Sequence, residues 1–256
     1  MADTSYPLVI PDRLKPYLMA HRGNRVACPE NTLAAFRRAL VDGADILETD
    51  LHLTADGVFV CIHDALVDRT TDGHGPVAEM TLAQVKTLSA SYGRPAFQGE
   101  QVPTLAELAA LVPEDVVLAL ELKTDRFLDS AVCRRLVAEL EATGVRQRTV
   151  VLSFSLLRVQ AVAAEAPELP IGWITLSRPW PIRECQLLGP FWPLLLLNPL
   201  YAWLAHRRGQ IVAPLDPTPD KRLWLYRLLA CDAVLSDDPG ATRMALGRMQ
   251  GLKLPA

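Results

Sequence analysis

The chain has 256 residues, half of them apolar and 21% charged, with a formal net charge of −3. That length fits one large α/β domain or two small ones, and the balance is ordinary for a soluble protein with a sizeable core. The small charge and the lack of any polybasic run exclude a nucleic-acid-binding reading. The N-terminal stretch MADTSYPLVIPDR carries prolines and acids before any apolar run, so it does not read as a secretory signal. A first strand is expected over Leu18–His21, leading into HRG at 21–23 and PENT at 29–32, with a helix over Thr32–Val41. Asn31 is expected to cap that helix or brace the loop after His21, not to contact a ligand.

The second strand, Ile46–Leu53, carries Glu48 and Asp50 at i and i+2, on one face. Asp56-Gly57 follows, a strong signal for a two-residue type I′ hairpin turn. In that register Ala55 pairs with Val58, and Asp50 lies opposite His63. A parallel crossover needs a dozen or more residues, so Val58–Cys61 must return antiparallel as a hairpin arm. Residues 54–103 then form an insertion, with RTTDGHG, a short helix near Thr81–Ser89 and a Gly/Pro-bearing loop. Its length is that of a functional cap.

Further strands are expected at Val116–Leu122, Thr149–Ser153, Ile171–Thr175, Leu194–Leu197, Ile211–Pro214 and Ala233–Ser236. Helical patterns fall at Leu105–Leu111, Leu128–Thr143, Leu156–Ala166, Pro199–Arg207, Thr218–Leu229 and Pro239–Met249. Eight strands with intervening helices make a (β/α)8 barrel, one domain over residues 1–256. From Cys185 to Ala205 no residue is charged, but Gly189, Pro190, Pro193 and Pro199 break any spanning helix. The favoured reading is a buried strand at Leu194–Leu197; the alternative is an exposed lip making peripheral membrane contact. The five cysteines (28, 61, 133, 185 and 231) are widely spaced without CxxC and read as reduced thiols in a cytoplasmic protein.

Barrel enzymes place their chemistry at the C-terminal ends of strands, where His21, Glu48, Asp50, Glu121, Lys123 and Ser153 all fall. Three carboxylates, Glu48, Asp50 and Glu121, converge there, and like charges share a pocket only when a cation neutralises them. Oxygen ligands without thiolates select Mg²⁺ or Ca²⁺. His21 and His63 are the acid–base candidates. His52 reads as an exposed hairpin histidine, and neither His74 nor His206 is assigned a role.

HRG, PENT, ETDLHLTADG at 48–57 and HDALVDRTT at 63–71 together resemble the signature of the glycerophosphodiester phosphodiesterase family. LALELK at 118–123, VVLSFSLLRVQAVAAEAPELPIG at 150–172 and ACDAVLSDDPGATR at 230–243 extend the resemblance over most of the chain. It implies hydrolysis of a small-molecule phosphodiester to glycerol 3-phosphate and an alcohol, with a divalent ion at Glu48, Asp50 and Glu121. It gives His21 and His63 the acid and base roles on opposite sides of phosphorus. It also favours Arg22 and Lys123 as phosphate clamps over an ion-pair role for Arg22 and a solvated strand end for Lys123. The implied route is attack by the substrate's 2-hydroxyl, giving a cyclic phosphate that water opens. One departure stands out. The family's seventh strand usually ends in a Trp-Thr-Val-Asn-like motif, where this chain has IVAPLDPTPD at 211–220. Trp173, Trp180 or Trp192 is then an alternative source of an apolar wall. The rival readings are a lysophospholipase D and an inactive barrel that serves as a binding module.

Overall fold

The computed structural model describes residues 10–249 apart from Asp12; segment 1–9, expected not to be a secretory signal, lies outside the described residues. β1 (Tyr17–His21) runs parallel to β2 (Ile46–Leu53), with His21 level with Glu48. Between them α1 (Leu33–Val41) makes the crossover. β2 has two neighbours beyond β1: the antiparallel arm β3 (Phe59–Cys61) and the parallel strand β4 (Val117–Leu122). The insertion carries the short helix α2 (Leu82–Val85), and α3 (Leu105–Ala109) leads into β4. The chain continues through α4 (Ser130–Ala142), β5 (Thr149–Ser153), α5 (Leu156–Glu165) and β6 (Ile171–Thr175). β7 (Leu187–Pro190), α6 (Pro193–Leu197), α7 (Tyr201–His206), β8 (Ile211–Val212), α8 (Leu223–Leu228), β9 (Ala233–Ser236) and α9 (Pro239–Met249) complete it.

The parallel strands follow the order β8-β7-β6-β5-β4-β2-β1-β9, a nearly closed eight-stranded barrel. Asp232 bridges the remaining seam: its amide donates to the Val212 carbonyl and its carboxylate accepts from the Val212 amide, both at 2.8 Å. Side chains alternate across each strand. Met19, Ile46, Ala119, Leu152, Ile174, Leu187 and Leu235 fill the barrel, whereas Leu18, Leu47, Leu118 and Val151 pack outward against the helices. Gly172 belongs to the inward set, and a Cβ there would collide with Leu152. The insertion has its own small core of Val60, Ile62, Val67, Val77, Val85, Ala90 and Val102.

Two expectations about the strands need correction. Leu194–Leu197 is not a strand; the sixth barrel strand is β7, a few residues earlier, and Pro193 opens helix α6 instead. Proline suits the first helical turn, and leucines, which lack branching at Cβ, favour helix over strand. The hairpin also differs by one residue. Leu51 pairs with Cys61 and the Thr54 amide donates to Val58, so three residues, Ala55 to Gly57, make the turn. Only Gly57 of these has positive φ, the geometry of a type I turn followed by a left-handed residue. Asp50 therefore lies level with Ile62, not His63. The antiparallel course expected for Val58–Cys61 holds. Elsewhere the expected Thr218–Leu229 helix splits into a 3₁₀ turn at Pro219–Arg222 followed by α8.

Candidate active site

The HRG motif turns the chain sharply at the top of β1. Arg22 and Gly23 both have positive φ, 58° and 77°, and a Cβ on Gly23 would sit 2.6 Å from the Ala35 carbonyl carbon. The turn aims the Arg22 amide at Glu48 Oε2, 2.9 Å away. Strained backbone of this kind persists where the surroundings over-determine it, and it clusters at functional sites. Thr32, not Asn31, caps α1 by accepting from the Ala35 amide. Asn31 braces the site: its side-chain amide donates to Asp50 Oδ2 at 2.9 Å, and its oxygen accepts from Thr49.

Alternation on β2 and β4 brings three carboxylates together. One oxygen from each of Glu48, Asp50 and Glu121 lies within 4.8 Å of the others, and all three side chains are buried. Asp50 and Glu121 face each other directly across the β2–β4 ladder. Burial, then repulsion from its two neighbours, pushes Glu48 well above the usual carboxylate range, and burial and Asp50 push Glu121 up. For Asp50 burial acts upward too, but Arg22 and Lys123 outweigh it and hold the carboxyl low. Asp50 Oδ1 is buried without a hydrogen-bond donor. An all-oxygen cluster, mutual repulsion and an unpartnered buried acceptor together fit a hard dication. Lys123 Nζ donates to Glu121 at 2.9 Å and stands 3.5 Å from Asp50 Oδ1.

Each candidate histidine is held by an aspartate. His21 Nδ1 lies 2.6 Å from Asp237 Oδ1, and His63 Nδ1 lies 2.6 Å from Asp64 Oδ1. In each pair Nδ1 is engaged, and among the described residues Nε2 has no hydrogen-bond partner. His63 lies beyond the end of β3. Although the ladder does not place it opposite Asp50, the departing chain brings it close enough for the Asp50 charge to favour its protonated form. Burial acts more strongly and leaves its pKa below the ordinary value. His52 is buried, not exposed as expected, and its Nε2 meets the His63 carbonyl oxygen at 3.1 Å, fixing the backbone that carries His63.

Sequence reasoning assigned no role to Glu30, Asp64 or Asp237. Buried Glu30 accepts a bidentate contact from Arg69 (2.8 and 3.0 Å) and pairs with Arg22 (2.9 Å) and Arg25 (3.0 Å). Burial opposes its charge, but the three arginines win and hold its pKa at about 2. Arg22 is thus an ion-pair partner of Glu30 and Asp50 as well as a residue at the mouth of the site. Asp64 had a local signal, its position directly after His63; Asp237 had none, since only barrel closure sets β9 beside β1.

The cleft above the barrel has a polar side of His21, Glu48 and Glu121. Its apolar side includes Leu152, Ile174, Leu187, Pro214 and Leu215. Pro214 and Leu215 therefore stand where the aromatic motif was expected to be replaced. None of the three tryptophans lines this cleft. Trp173 donates to the Phe154 carbonyl, Trp180 is exposed, and Trp192 lies under the Arg222 guanidinium.

Fold and cleft together define a (β/α)8-barrel enzyme with two aspartate-held histidines and a buried carboxylate cluster at the C-terminal ends of its strands. Residues 21–240 match the model of the glycerophosphoryl diester phosphodiesterase family. A glycerophosphodiester phosphodiesterase of Caldanaerobacter subterraneus is 34% identical over 237 residues, 88% of this chain and 96% of that one. A solved glycerophosphodiester phosphodiesterase from Agrobacterium tumefaciens superposes with a TM-score of 0.77 at 26% identity, covering 89% and 99% of the two chains. An Oleispira antarctica phosphodiesterase solved with the product sn-glycerol-3-phosphate gives 0.80 at 27% identity, covering 90% and 96%. The chain belongs to the glycerophosphoryl diester phosphodiesterase family and is a phosphoric diester hydrolase.

Proposed function

We propose that this chain is a single-domain, divalent-cation-dependent enzyme that converts a glycerophosphodiester to glycerol 3-phosphate and an alcohol. The observation that carries the reading is the buried Glu48–Asp50–Glu121 cluster beside two aspartate-held histidines. The product bound by the Oleispira relative supports the substrate class. Glu48, Asp50 and Glu121 would hold Mg²⁺ or Ca²⁺, which supplies charge neutralisation at a phosphoryl oxygen and acidifies the attacking hydroxyl. A cytoplasmic setting is in keeping with five buried free thiols.

Displacement at phosphorus sets the entering and leaving oxygens in line, on opposite sides. One histidine takes the proton of the substrate's 2-hydroxyl as that oxygen bonds to phosphorus. The other gives a proton to the departing alkoxide as its bond to phosphorus breaks. The resulting cyclic phosphate is opened by water, with the two histidines exchanging roles. Arg22, fixed by Glu30, and Lys123, fixed by Glu121, face the non-bridging oxygens as clamps.

Turnover of glycerophosphocholine by verified metal-free protein, with Mg²⁺ or Ca²⁺ then restored, tests the cation. Activity should vanish and return, and Glu48→Gln should lower it by orders of magnitude; full activity without metal would remove the cation from the mechanism. Lysophosphatidylcholine run in parallel tests the lysophospholipase D reading.

A further inference from the structure

The uncharged segment 185–205 folds into β7, α6 and α7, and much of it faces outward. Leu197 is 75% exposed, Leu200 59% and Trp203 53%, and Leu196 and Trp180 are likewise exposed. Single exposed apolar residues are ordinary, but a contiguous group is not. These residues are tied into one surface: the Asn198 side chain donates to the Pro179 carbonyl at 2.7 Å, fastening the Trp180 loop to the α6–α7 junction. The surface runs on to the cleft, since Phe191 bridges to Leu215, which lines it.

The segment that carries this lip has a charge of the opposite sign to that of the chain. Residues 171–215 contain Arg178, Arg183, Arg207 and Arg208 against Glu184 alone, a net of +3 in a chain of net −3. All four arginines are exposed, and among the described residues none of their guanidinium groups has a carboxylate oxygen within 4.0 Å; the Glu184 carboxylate meets only the Arg183 backbone amide. Arg207 lies over the Trp203 ring, 5.1 Å from its centroid. Leucine and tryptophan rimmed by arginine match a lipid–water interface, where rings sit at headgroup level and arginines meet anionic headgroups. A two-fold contact with a second copy would instead set like-charged arginines against each other. α6 and α7 have five and six residues, and among the described residues no helix is long and apolar enough to cross a membrane. Contact would therefore lie along the surface.

We infer that the α6–α7 lip docks on an anionic phospholipid bilayer, with Leu196, Leu197, Leu200 and Trp203 entering the interface and the flanking arginines meeting the headgroups. This does not depend on the catalytic reading, and its test reads binding, not turnover. The full chain is sedimented with sucrose-loaded vesicles of phosphatidylcholine, with or without phosphatidylglycerol. The wild type should pellet with the anionic vesicles and be largely released at high salt. Arg207→Gln with Arg208→Gln should weaken that partition by roughly ten- to thirtyfold, the loss of two headgroup charges. Leu196→Asp with Leu197→Asp should abolish it while leaving the urea-unfolding transition of the free protein unchanged. Failure of the wild type to pellet, or equal pelleting by the Asp variant, would overturn the inference. So would light scattering that shows a dimer broken by the Asp variant without vesicle binding; the lip would then be a contact between copies.

Discussion

Glu30→Gln tests how the arginine-bearing rim of the site is held. Glutamine keeps the shape of a protonated glutamate and removes the charge that Arg22, Arg25 and Arg69 share. The carboxyl falls from an ordinary 4.5 to about 2 in the fold, and its side chain is almost wholly buried, so solvent screens little of this. That shift corresponds to about 3 kcal/mol of stability at pH 7. Because the folded pKa is depressed, the contribution is complete above 4.5 and is lost as pH falls through about 2. At pH 3 roughly 1 kcal/mol remains. Urea unfolding of both proteins at pH 7 and pH 3 should show the variant weaker by about 3 kcal/mol at the higher pH and by about 1 kcal/mol at the lower. The KM for glycerophosphocholine should rise as well, since Arg22 loses its anchor. A stability difference that does not change between the two pH values would refute the reasoning.

Three further outcomes are expected. His21→Ala and His63→Ala should each lower turnover by about 10²–10⁴-fold, and the double variant by far less than the product, because the pair acts as one unit. Near-normal turnover by His63→Ala would break the pairing. Asp64→Asn removes a hydrogen bond that raises the His63 pKa, so the limb of the kcat pH profile belonging to His63 should move to lower pH; an unmoved limb would assign it elsewhere. Gly23→Ala places a methyl against Ala35 at positive φ and should cost about 1–3 kcal/mol in urea unfolding, with loss of turnover from a displaced Arg22.

Much of the architecture was legible in the chain because strand alternation and turn chemistry are local. The period of two puts Glu48 and Asp50 on one face, and the apolar runs mark seven of the eight barrel strands near their observed places. The sixth was misplaced because LLLL reads as a strand by apolarity, while Pro193 and the lack of β-branching decide for helix. Hairpin register was missed by one residue because Asp-Gly serves both two- and three-residue turns; the choice is made by φ at Asp56, which the dipeptide does not encode. His63 still approaches Asp50 only because the chain leaves the ladder after Ile62. The partners of the histidines separate the two levels most clearly. Asp64 follows His63 in sequence, whereas Asp237 lies 216 residues from His21 and meets it through closure of the barrel. Residue types and spacing determined which groups could do chemistry, while the tertiary fold decided which of them face one another, since burial and charge pairing act through space.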